Sequence, residues 1–156
     1  MKLAKGFLFA LTGLFVMITL LSLLIPSKVL TAKSVTINAP QQVIAESLVD
    51  FQQWKEWHPV FTKNAINTII SKPSRGVNAN IEWGLPGKKN KMTITEVVPE
   101  GIKFVFTRPG ENLVENTILL LPLKDSGSYQ VEWKALTRLK WYPWEKFAGI
   151  FVSEVT

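Results

Sequence analysis

The sequence predicts an α+β domain preceded by one membrane-spanning helix. Three observations lead there. Gly6 to Ile25 is an apolar stretch of 20 residues without a charge. From residue 65 onward, strand-like segments are separated by turn signals about every 8–12 residues, the spacing of an antiparallel meander. Helical periodicity falls only before that meander and at the end of the chain, which separates helices from strands instead of alternating them.

The apolar stretch comes first. As a helix it spans ~30 Å, the thickness of a bilayer's hydrocarbon core. Lys2 and Lys5 precede it, and Pro26-Ser27-Lys28 ends it. A secretory signal peptide is the alternative, but its apolar region is usually about 7–15 residues. The nearest cleavage pattern, Leu30-Thr31-Ala32, has a bulky Leu where a small residue is needed. The reading is an uncleaved, single-pass anchor. The amino terminus, Lys2 and Lys5 slightly outweigh Lys28 and Lys33, which places the N-terminus inside and the soluble domain on the extracytoplasmic side. The chain then divides into residues 1–5, a transmembrane helix at 6–25, a linker at 26–33 and one domain at 34–156.

This division changes the meaning of the charge. The chain carries 18 Lys and Arg against 12 Asp and Glu, a net +6. Lys2, Lys5, Lys28 and Lys33 account for four of those basic residues, and residues 1–33 contain no acid. The domain is therefore almost balanced. Its one basic run, Lys88, Lys89 and Lys91, lacks the interleaved aromatics of a nucleic-acid surface, so nucleic acid is not expected as a partner. With no cysteine in the chain, disulfides, thiolate metal sites and a cysteine nucleophile are excluded.

The elements of the domain follow in order. Ser34 to Asn38 alternates like a strand, and Ala39-Pro40 stops it. Gln41 to Val49 has Val43, Ile44 and Leu48 at helical spacing. Asp50 suits the cap of a second short helix holding Phe51, Trp54 and Trp57, which His58-Pro59 ends. The meander reads as strands at residues 65–71, 77–83, 91–99, 101–107, 113–121 and 129–136, with residues 84–90 as a loop. Pro143 opens a last helical stretch through Val152. Alternation assigns one sheet face to Val77, Ala79, Ile81, Trp83, Met92, Ile94, Ile102, Phe104, Phe106, Leu119, Leu121, Tyr129, Val131 and Trp133. A curved sheet presenting these side chains can enclose an apolar cavity, although the same residue types also build cores. The candidate ligand-binding residues are Trp57, Ile81, Trp83, Met92, Ile94, Phe104, Phe106, Leu119, Tyr129 and Trp133.

Several of these segments resemble a known family. Val35-Thr36-Ile37-Asn38-Ala39-Pro40, followed by Val49-Asp50-Phe51, Trp54, Trp57 and Pro59, is similar to the opening of the START-like, helix-grip superfamily, in its polyketide cyclase/dehydrase (SRPBCC) branch. Met92 to Glu100 resembles that branch's central hairpin, and Val131-Glu132-Trp133 its last strand. The resemblance covers residues 34–152. It implies a curved antiparallel sheet of about seven strands, two short helices after the first strand, and a long C-terminal helix with a ligand cavity between helix and sheet. Here the chain stops at Thr156, and a helix from Pro143 would span only ~21 Å. The expectation is a shortened, incomplete grip helix and an open sheet face suited to self-association or a partner helix.

His58, the sole histidine, and Glu82 are the candidate catalytic residues, with no triad spacing to support them. Metal-ligand spacings and glycine-rich phosphate loops are absent from the sequence, so no metal and no cofactor are expected. The functional expectation is a membrane-anchored binding domain for a hydrophobic small molecule or lipid. The alternatives are a cyclase/dehydratase-like enzyme and a non-enzymatic protein-interaction module.

Overall fold

A computed structural model describes residues 2–62, 67–124, 127–140 and 142–147. Its elements are α1 (Lys2–Leu23), β1 (Lys28–Ile37), α2 (Gln41–Val49), α3 (Phe51–Trp57), α4 (Pro59–Thr62), β2 (Thr68–Ile70), β3 (Asn80–Leu85), β4 (Lys88–Val98), β5 (Gly101–Thr107), β6 (Val114–Pro122) and β7 (Tyr129–Arg138). Residues 143–147 form a last short helical stretch. The chain divides into two compact units, one running from Leu30 to Thr137 and the other holding the residues before and after it.

The terminal unit contains α1. Ala4–Leu23 is long and apolar enough to cross a membrane, and its surface is largely exposed. Its few hydroxyls are satisfied within the helix. Thr12 and Thr19 donate to the carbonyls of Leu8 and Phe15 at 2.9 and 2.8 Å, and Ser22 donates to Thr19 at 2.7 Å. Such back-bonding lets a hydroxyl sit in an apolar helix without an orphaned donor. Lys146 is buried, and its Nζ donates to the Ile25 carbonyl at 3.3 Å, just past the helix end.

The central unit is a seven-stranded antiparallel sheet in the order β1-β7-β6-β5-β4-β3-β2. α2 and α3 follow β1 and bury Ile44, Leu48, Phe51 and Trp54. Asp50 caps α3 as expected, its Oδ1 accepting from the Gln52 amide at 2.9 Å. Trp54 is wholly buried, and its indole N–H donates to the Leu48 carbonyl at 2.9 Å, so the largest core side chain leaves no polar atom stranded. The core face of the sheet carries Ile81, Trp83, Met92, Ile94, Ile102, Phe104, Ile118 and Leu120.

Several features differ from the sequence reading. β1 begins at Lys28, so residues 28–33 are strand and not linker. Its apolar alternation starts only after Lys33, which hid the first half. The loop expected at 84–90 is a tight hairpin in which Leu85 pairs with Lys88. Pro86 and Gly87 make the turn, with Gly87 at a φ of 80°, and in the strand beside it Gly84 has a φ of 123°, where a Cβ would sit 2.6 Å from the Lys88 carbonyl oxygen. Val77 lies outside β3 and is exposed. On β6 the inward residues are Ile118 and Leu120, not Leu119 and Leu121. Four consecutive apolar residues give alternation no parity to read. Pairing of Ile118 with Trp133 and Leu120 with Val131 sets it instead. The part of the expected last helix beyond residue 147 lies outside the described residues.

Candidate functional site

Two cavities lie against the core face of the sheet in the central unit. The larger, about 570 Å³, is a cleft between α2 and the β1–β7 edge. β1 supplies Val35 and Ile37, α2 supplies Val43, Ile44 and Leu48, β6 supplies Ile118, β7 supplies Val131 and Trp133, and Trp57 completes the wall. Lys33, Ser34 and Ser47 are the polar residues among its lining. Val35 and Val43 remain 57% and 54% exposed, so an apolar surface is left facing outward at the cleft mouth. Trp57 is held in place by its indole N–H, which donates to the Ser47 carbonyl at 3.3 Å.

The second cavity, about 410 Å³, lies farther along the sheet and is lined by His58, Val60, Trp83, Asn90, Met92, Phe106, Arg108, Asn116 and Trp133. Trp133 is common to both cavities. Its indole N–H donates to Asn116 Oδ1 at 2.9 Å, and Asn116 Nδ2 donates to the Val114 carbonyl at 3.1 Å. Trp83 and Phe106 stack face to face, with ring centres 5.5 Å apart and planes 10° apart. The Arg108 guanidinium lies 4.7 Å from the centre of the Phe106 ring and pairs with Glu111 at 3.2 Å.

His58 sits among aromatic rings. It stacks on Trp54 at 5.3 Å and approaches Phe61, Trp57 and Trp133 at 5.0, 5.6 and 5.7 Å. It is only 4% exposed, and burial pushes its pKa down to about 4. The ring is therefore neutral at physiological pH. Its Nδ1 accepts from the Val60 amide at 3.3 Å, which assigns the ring proton to Nε2.

Glu82 is elsewhere. It stands between the inward-facing Ile81 and Trp83 on β3, so the strand pleat turns it to the outer face. There it pairs with Lys91 at 3.1 Å and Lys89 at 3.6 Å. The Lys91 hydrogen bond, followed by the charges of both lysines, holds its carboxyl below the usual range. The two candidate catalytic residues are thus not brought together, and Glu82 faces neither cavity. The described residues contain no group of three or more His, Asp or Glu able to hold a metal.

The ten candidate ligand residues divide into four sets. Trp57 and Trp133 line the cleft, and Trp83, Met92, Phe106 and again Trp133 line the second cavity. Ile81, Ile94 and Phe104 are fully packed core beneath them, and Tyr129 packs at the core's edge. Leu119 is on the other face of β6 and is in the lining of neither cavity. Val35, Ile37, Val43, Asn90, Arg108 and Asn116 were not anticipated. Val35 and Ile37 share the parity of one β1 face, a signal the sequence did contain. Asn116 lies on the same face as Ile118, but a polar residue at the start of an apolar strand does not announce that it is buried.

A seven-stranded antiparallel sheet with short helices after its first strand defines the helix-grip, START-like class. The chain belongs to the family described as "Polyketide cyclase / dehydrase and lipid transport", whose profile matches residues 28–154. That match also begins at Lys28, the first residue of β1. No curated protein matches by sequence. Solved structures share the fold at low identity. XoxI from Bacillus cereus aligns with a TM-score of 0.54 at 16% identity, over 80% of this chain and 89% of that one. Norcoclaurine synthase from Thalictrum flavum gives 0.53 at 14%, over 70% and 68%. A START superfamily protein from Mycobacterium smegmatis gives 0.51 at 16%, over 81% and 91%. The chain spans only 38% of another neighbour, DynU16 from the dynemicin biosynthetic locus.

Proposed function

We propose that this protein is a membrane-anchored binding domain that takes a hydrophobic small molecule or lipid into the cleft between α2, β1 and β7. The observation that carries the reading is the cleft itself: about 570 Å³, walled by aliphatic and indole side chains, and open at Val35 and Val43. Ligand sites of this size are typically apolar with a few polar groups, here Ser34, Ser47 and Lys33. The family description includes lipid transport. α1, read as an uncleaved anchor, would hold the protein at a membrane, with the domain on the extracytoplasmic side by the charge bias at the two ends of the helix. No cofactor is invoked. Catalysis of the cyclase or dehydratase type would have to run on His58 without Glu82, whose carboxylate faces the lysines. The test is organic extraction and mass spectrometry of the protein purified from membranes. A stoichiometric apolar species supports the reading, and its absence counts against it.

A further inference from the structure

The second cavity has a different chemistry from the cleft. Its walls are flat aromatic surfaces, Trp83 stacked on Phe106 and Trp133 across from them. Its polar groups are mainly donors. The structure gives the His58 side chain one hydrogen bond, at Nδ1, so the proton on Nε2 is unspent. Among the described residues no buried polar side-chain atom is left without a partner, so Nε2 is not sealed into the core, and His58 is part of the cavity lining. Asn116 has committed its Oδ1 to Trp133 and one amide hydrogen to Val114, which leaves a second amide hydrogen. Arg108 stands in the lining, held over Phe106, with one nitrogen on the exposed Glu111 and further donors free for a planar oxygen pair. Asn90 completes the set, and the lining includes no acidic residue.

We propose that this cavity is a second binding site, for the oxygen end of a flat hydrophobic acid: an aromatic or conjugated carboxylate. The ring system lies against Trp83, Phe106 and Trp133. The carboxylate accepts from His58 Nε2 and Asn116 Nδ2, with Arg108 supplying the countercharge. His58 acts as a neutral donor in this arrangement. The proposal does not depend on occupancy of the cleft, since only Trp133 is shared.

The test uses the full-length protein in phosphatidylcholine nanodiscs and two probes, 2-naphthoate and the uncharged 2-ethylnaphthalene. Proton–nitrogen correlation spectra report on His58 without ambiguity, because it is the chain's one histidine. Saturable movement of the imidazole signals by 2-naphthoate is expected. Arg108→Gln, a change at a half-exposed side chain, should weaken naphthoate about tenfold or more and leave 2-ethylnaphthalene within about twofold. The cleft variant Val35→Glu/Val43→Glu should leave naphthoate binding unchanged, which separates this proposal from the function proposed for the cleft. Imidazole signals that do not move, or equal loss of both probes in Arg108→Gln, or loss of naphthoate in the cleft variant, overturn it.

Discussion

His58 makes stability depend on pH in a window that the structure defines. Its folded pKa is lowered to about 4, against 6.5 for the unburied group, and burial is the cause. Between those values the unfolded chain binds a proton that the folded chain refuses. Stability is therefore complete above about pH 6.5 and declines as pH falls toward 4. At about 1.4 kcal/mol per pH unit, the full span amounts to ~3 kcal/mol, of which ~2 kcal/mol is lost between pH 7.5 and 5. Against a usual total of about 5–15 kcal/mol this is easily measured. Denaturant unfolding of the protein at a series of pH values should show that slope, and His58→Gln should remove most of it above pH 5, where few carboxylates titrate. Titration of the imidazole by NMR reads the same quantity directly. A midpoint near 6.5, or a stability flat from pH 7.5 to 5, would refute the burial argument and the neutral-donor role built on it.

Other expectations follow from the fold. Gly101→Ala should destabilise the domain by about 2 kcal/mol or more in denaturant unfolding, because φ is 155° and a Cβ would run into the Ile118 carbonyl oxygen. Asp50→Ala should lower stability by about 1 kcal/mol through loss of the α3 cap. Glu82→Gln, on the outer face, should leave the content of extracted lipid unchanged; a loss of bound lipid would mean that Glu82 reaches the cleft after all. Intact-mass measurement of the membrane-extracted protein should find residues 1–25 retained, as an anchor requires.

Much of the fold was legible because its signals are local. Turn residues at Pro99-Glu100-Gly101 fixed the β4–β5 hairpin, and Asp50 marked the start of α3. Alternation on β3, β4 and β5 placed Ile81, Trp83, Met92, Ile94, Ile102 and Phe104 on the core side. Where a strand is apolar on both faces, as in Ile118 to Leu121, the inward set depends on the neighbouring strand and cannot be read from the strand itself. The site was less legible for a related reason. A binding cleft and a core draw on the same residues, and the difference between Ile94 and Val35 is whether something packs on top. More than half of the cleft wall comes from β1 and α2, which meet β7 only through folding. Donor sites such as Asn116 and the Nε2 of His58 are defined by what their other atoms are bonded to, which no spacing rule records.

The measurement that bears most directly on the proposed function compares lipid carried by the wild-type protein and by Val35→Glu/Val43→Glu, both purified from membranes and extracted for mass spectrometry. Both residues line the cleft, and both are more than half exposed, so carboxylates there should be tolerated by the fold and rejected by an apolar occupant. Near-stoichiometric apolar ligand in the wild type and at least about a tenfold loss in the variant is the predicted result, equivalent to 1.4 kcal/mol or more of lost binding. Equal loading of the two proteins, or no ligand in either, would contradict the assignment of the cleft as the binding site.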